Sequence, residues 1–142
     1  MQKVQSDTSV RDVFYQADPY NAEGSRVSKC NSSAVVAAAA AVATLAAPGA
    51  TLTNYIEGFD VTGMGATAAV SVSVVVSGLL GGSLSFVCPV VAGATVANPR
   101  LTVTFPHPLP ASAANTAIVV TVPSFGAGNL AAAVAAYGFA AV

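Results

Sequence analysis

Between residues 66 and 91 the chain alternates apolar and polar side chains with a two-residue period. Val70, Val72, Val74 and Val76 are interleaved with Ser71, Ser73 and Ser77, the pattern of a strand with one buried face. Gly78-Leu79-Leu80-Gly81-Gly82 predicts a reversal, because glycine supplies the positive-φ geometry of a tight turn. The alternation resumes with Leu84, Phe86, Cys88 and Val90 on one side. The stretch is therefore an antiparallel hairpin with an apolar face. An isolated hairpin is marginal in water, so further sheet must cover that face.

The remaining segments supply it. Ser33–Ala47 holds five consecutive alanines, Ala37 to Ala41, which favour helix. Its Val35, Val36, Val42 and Thr44 favour strand, and strand is the expectation, ended by Pro48-Gly49. Thr51–Thr62 predicts a second strand, with Gly58 marking a bulge or a close backbone approach. Gly63-Met64-Gly65 predicts a turn. Arg100–Phe105 places Leu101, Val103 and Phe105 inward and Thr102 and Thr104 outward. Pro106-His107-Pro108-Leu109-Pro110 predicts an exposed, stiff crossover, since three of its five residues lack an amide donor. Thr116–Val122 turns Ile118, Val120 and Val122 to one face. Pro123–Asn129 is a glycine-rich loop, and Leu130–Val142 predicts a last strand.

About seven strands joined by Gly/Pro turns predict an all-β fold: an antiparallel β-sandwich over residues 33–142, jelly-roll-like. Pattern alone does not separate jelly-roll from immunoglobulin-like topology. Residues 1–32 sustain no period and predict an extended N-terminal arm. Val10, Arg11, Val13, Phe14, Tyr15 and Tyr20 are its candidate anchors on a partner, since aromatic and arginine side chains are enriched in such contacts.

Composition changes the picture in one respect. Only 8% of residues are charged, against 54% hydrophobic; an ordinary soluble domain carries about 25% charged residues. Lys3, Asp7, Arg11, Asp12, Asp18, Glu23, Arg26 and Lys29 all precede residue 33, which leaves Glu57, Asp60 and Arg100 for the body. A body so poor in charge wears hydroxyls, hides surface in an assembly, or both. The candidate subunit-interface residues are the hydroxyl face Ser71, Ser73 and Ser77, together with Arg100. A net charge of −1 argues against nucleic acid held by a basic surface. No apolar run reaches a membrane span, and the 14-residue run Ala34–Ala47 follows too long and too acidic a segment for a signal peptide.

No residue set predicts catalysis, a metal or a cofactor. His107, the only histidine, lies between prolines with no cysteine or carboxylate near it in sequence, whereas a zinc site needs three or four ligands. Glu57 and Asp60, three apart on a strand, point to opposite faces unless a bulge intervenes; surface solubility or an intersubunit contact with Arg100 is their expected role. Cys30 and Cys88 make no disulfide framework, and Cys88 falls on an inward position as a small hydrophobe.

The run Asn54-Tyr55-Ile56-Glu57-Gly58-Phe59-Asp60-Val61-Thr62-Gly63 with Gly65-Ala66-Thr67-Ala68-Ala69 is similar to short structural proteins of tailed bacteriophages and prophages. So are Phe105-Pro106-His107-Pro108-Leu109-Pro110-Ala111-Ser112-Ala113-Ala114-Asn115-Thr116-Ala117-Ile118 and Val122-Pro123-Ser124-Phe125-Gly126-Ala127-Gly128-Asn129, with Tyr137-Gly138-Phe139. The likeness covers roughly residues 50–140 and carries no catalytic motif. It implies a virion component made in the host cytoplasm: a β-sandwich cement (decoration) protein on the capsid exterior, homo-oligomeric and often trimeric in such proteins, with the major capsid protein as partner. The alternative is a receptor- or glycan-binding sandwich of a head fibre, tail tip or adhesin. In that reading Pro106–Pro110 and the 124–129 loop form one rim, and Phe125 is the aromatic presented there.

Overall fold

The computed structural model describes residues 27–142. Eight strands follow in order: β1 (Val27–Ser32), β2 (Ala41–Leu45), β3 (Thr53–Met64), β4 (Val70–Leu79), β5 (Gly82–Val90), β6 (Leu101–Pro110), β7 (Ile118–Val122) and β8 (Ala131–Ala141). They form two four-stranded sheets, sheet I in the order β1-β8-β3-β6 and sheet II in the order β2-β7-β4-β5. Every pairing is antiparallel. β1 pairs with β8, β2 with β7, β3 with β6 and β4 with β5. The chain is thus one long antiparallel ribbon folded over on itself, which is the jelly roll. That order settles the choice of topology that alternation left open.

The strand assignments hold with four changes. The polyalanine segment is strand, but only over Ala41–Leu45; ahead of it Val36 makes a single bridge to Ala132, and Ala38 takes a positive φ of 49°. Val27–Ser32, expected in the arm, is β1, an edge strand on β8. Sandwich pairing therefore includes residues 27–32, ahead of the expected start at 33. β6 runs on through Pro110. It can do so because it is an edge strand, bonded on one side only. Its register passes from Gly58↔Thr104 to Ile56↔Leu109, so residues 105–108, with Pro106 and Pro108, arch past the ladder. The turn expected at Gly63–Gly65 falls at Gly65, after β3 has run on through Gly63 and Met64.

The opening hairpin is β4–β5, with Leu79↔Gly82 closing a two-residue turn at Leu80-Gly81. Gly81 has φ +91° at the position where a type II turn requires it. Val74, Val76, Cys88 and Val90 are buried as their parity demands, while Val70 and Leu84, towards the hairpin's two ends, are exposed.

The core is a wedge. On one side β2 lies against β8 and β1, and the facing positions there are Ala41, Ala43, Ala132 and Ala136, all about 1% exposed or less. Such small side chains let two backbones approach closely. On the other side the sheets are held apart by phenylalanines. Phe59 (β3) meets Phe86 (β5) edge-on with centroids 5.3 Å apart, and Phe105 (β6) lies 6.5 and 6.2 Å from them, distances at which edge-to-face attraction adds to burial.

Two asparagines clamp the ends of β3. Asn54, fully buried, offers its amide nitrogen to the carbonyls of Leu45, Ala46 and Thr116 at 3.1, 2.9 and 2.9 Å, and accepts from Lys29 Nζ at 3.0 Å. One side chain thereby ties β3 of sheet I to the ends of β2 and β7 in sheet II. At the far end Asn129 donates to Met64, Gly65 and Ala131 carbonyls at 3.0–3.1 Å and accepts from the Ala38 amide at 3.2 Å.

Replacing Asn54 by Ala removes the side-chain donor to the Leu45 and Thr116 carbonyls and leaves Lys29 Nζ and the Ala46 carbonyl with only each other. The expected cost is about 2–4 kcal/mol of unfolding free energy, read as a lower urea midpoint at unchanged slope.

Candidate functional site

The outer face of sheet I carries most of the body's charge. At Gly58 the register of β3 shifts against both neighbours, and glycine is needed there: a Cβ would strike the Val103 carbonyl and lie 2.6 Å from the Tyr137 hydroxyl. Before the shift Asn54 and Ile56 point inward; after it Phe59 and Val61 do. The bulge therefore brings Glu57 and Asp60 to one outer face, where unbroken alternation puts them on opposite faces.

They still form no acid–base pair. Arg100 donates to Asp60 through Nε at 3.2 Å and Nη2 at 2.7 Å, and the Thr102 hydroxyl donates at 2.6 Å. These hydrogen bonds, Arg100's first, hold the Asp60 carboxyl below the usual carboxylate range. A carboxyl that works as a general acid needs the opposite, a pKa lifted toward neutrality. The Arg100 contact, expected between subunits, is made within the chain, where it ties β6 to β3.

The four expected interface residues do not share a surface. Ser71 and Ser73 are exposed on the outer face of sheet II, and Ser77 is half-buried there with its hydroxyl toward the Val119 carbonyl at 3.4 Å. Arg100, through Asp60, belongs to the outer face of sheet I. The arm anchors Val10, Arg11, Val13, Phe14, Tyr15 and Tyr20 lie outside the described residues.

The register defines the sheet II face row by row. Val42, Thr121, Val75 and Ser85 form one row across all four strands; Thr44, Val119 and Ser77 form the next; Ser73 with Val87 and Ser71 with Pro89 extend it along the hairpin. No charged side chain occurs at any of these positions. Val87 is 71% exposed and Val42 44%. The valines were missed in the sequence, although the signal was there: the alternation that turns Phe86 and Cys88 inward turns Val87 outward.

The two loops of the rim reading sit at opposite ends of the sandwich. Pro110 pairs with Tyr55 at the start of β3, whereas Asn129 and Leu130 bond Met64 at its end. Phe125, expected as a presented aromatic, is 1% exposed and part of the core.

Recesses open to solvent among the described residues include one of about 170 Å³ at the β4–β5 turn beside Leu109 and Pro110, and one of about 260 Å³ among Val35, Met64 and Ala131–Ala133. No ionisable side chain lines either. Among the described residues no three His, Cys, Asp or Glu side chains converge, and no helix is long and apolar enough to cross a membrane. Cys30 and Cys88 are both free, the first exposed on β1 and the second buried, where desolvation raises its thiol pKa.

Comparison with known families, characterised proteins and solved structures found no match.

Two outcomes follow from this chemistry. A thiol reagent should modify Cys30 rapidly in the native protein and Cys88 only after denaturation, which peptide mapping of the adducts reads directly. Because the Asp60 pKa is depressed by folding, its stabilisation is present above the ordinary aspartate value, about 4, and is lost as pH falls through the lower folded value. Melting temperature should therefore drop more steeply in the wild type than in Asp60→Asn as pH falls from the ordinary aspartate value to the lower folded one.

Proposed function

We propose that this chain is a non-catalytic virion protein, a decoration subunit on the exterior of a tailed-phage head that reinforces the major capsid protein lattice. The observation that carries this reading is the segregation of charge. Seven of the chain's charged side chains (Lys3, Asp7, Arg11, Asp12, Asp18, Glu23 and Arg26) precede residue 27, against Lys29, Glu57, Asp60 and Arg100 in the body. A mixed-charge segment suits a lattice that presents both signs, while a nearly neutral body suits close packing beside other proteins. Two weak footings on one chain act together through effective concentration, so neither needs high affinity alone.

The described chemistry is in keeping with a structural role. Its one bidentate carboxylate is spent on Arg100, and its open recesses are apolar. A jelly roll by itself does not choose among roles, because capsid, lectin and cupin domains all use it. The receptor-binding reading loses its geometric support, since its loops lie at opposite ends and its aromatic is in the core. The phage resemblance favours a trimer at three-fold or quasi-three-fold positions.

The test is cosedimentation with heads of the encoding phage assembled without this protein. The full chain should bind at a copy number comparable to that of the capsid subunits. A chain starting at Val27, which keeps β1, should bind at least roughly tenfold more weakly. Failure of the full chain to bind would overturn the proposal; equal binding of the shortened chain would remove the arm from it.

A further inference from the structure

We propose that the outer face of sheet II docks a second copy of this chain. The proposal deepens the structural-protein reading and rests on it for biological purpose, though its physical basis stands apart.

The charge pattern comes first. Across four strands, from Val42 on β2 to Val87 on β5, the outward positions are Val, Thr, Ser and Pro. Such a face gives a charged partner nothing to pair with. Against a copy of itself it brings no like-charge repulsion and leaves no ion desolvated. The opposite outer face, with Glu57, Asp60 and Arg100, would have to match or bury those charges.

The edges are closed, which removes the usual alternative of strand addition. Pro89 sits on edge strand β5, and Pro106, Pro108 and Pro110 sit on edge strand β6; proline blocks pairing there. On the other side β1 turns Lys29 toward the Ala46 carbonyl and Asn54, an inward charge that guards an edge. The Thr44 amide of β2 is already bonded to Asn31 Oδ1 at 3.0 Å. Association is left to faces.

Size and shape fit. With strands about 4.8 Å apart and about 3.3 Å per residue, the face measures about 500 Å². Two copies would bury about 1,000 Å², the lower limit of a specific interface. Short side chains let two such faces approach as closely as stacked sheets do, and the exposed valines supply apolar area while the serine hydroxyls bond water or each other at the margins.

The experiment is sedimentation velocity on the purified full chain with no capsid present. It therefore succeeds or fails independently of capsid binding. Wild-type protein should sediment as a dimer or larger species. Val87→Lys and Ser73→Lys, both at exposed positions, should each raise the dissociation constant by at least roughly tenfold, with far-UV circular dichroism and melting temperature unchanged. Glu57→Lys, on the other face, should leave self-association intact. A wild-type monomer, or self-association indifferent to both lysines, overturns the proposal. A monomer in which a Val87→Cys thiol reacts slowly would overturn it in favour of the chain's own residues 1–26 as the occupant of the face.

Discussion

The spacing between the two sheets is the constraint from which most of this structure follows. A sandwich of stacked sheets can be thin only where the facing side chains are small, and here Ala41 and Ala43 of β2 meet Ala132 and Ala136 of β8. Opposite, Phe59, Phe86 and Phe105 hold the sheets apart. A wedge of this kind matches side-chain volume to the gap between the sheets, as close packing requires. It also gives the alanine-rich composition a physical purpose. Of the run that favours helix in isolation only Ala41 lies in β2, where with Ala43 it faces the core.

At the two ends of β3 buried amides tie strand ends together: Asn54 joins the two sheets, and Asn129 joins β3 and β8 of sheet I to the segment before β2. Asn54 and Asn129 stand at opposite ends of β3, and each satisfies carbonyls that the end of a strand leaves unpaired. Buried amides of this type specify one arrangement, because any slip of register strands their partners. The bulge at Gly58 belongs to the same strand. It lets Asn54 at one end and Phe59 and Val61 further along all face inward, at the cost of shifting every outer residue beyond it by one place. Asp60 is thereby delivered to Arg100 and Thr102, and the contact expected between subunits is made within one.

The outcome is a molecule with two unlike faces and guarded edges. Sheet I presents carboxylates, a guanidinium and tyrosines; sheet II presents only short uncharged side chains. Prolines and an inward lysine close the borders between them. That asymmetry underlies both functional proposals.

Alternation determined much of this from the sequence. Val74/Val76, Cys88/Val90 and Ile118/Val120/Val122 were placed inward because a strand has a period of two and only one side of each sheet is wet. Glycine and proline marked the turns for equally local reasons. What tertiary structure decided is what depends on a neighbour. β1 escaped notice because six largely exposed residues with no apolar stripe become a strand only when β8 offers an edge. The proline run stays in β6 because that strand is bonded on one side, a fact of sheet order and not of composition. Glu57 and Asp60 share a face because β3 bulges at a glycine pressed against Val103 and Tyr137. Phe125 looked like a presented loop aromatic and is a core residue, since burial of a loop side chain depends on what folds over it. The sequence determined which side chains could be inside; the order of strands determined which edges, faces and charges were left for a partner.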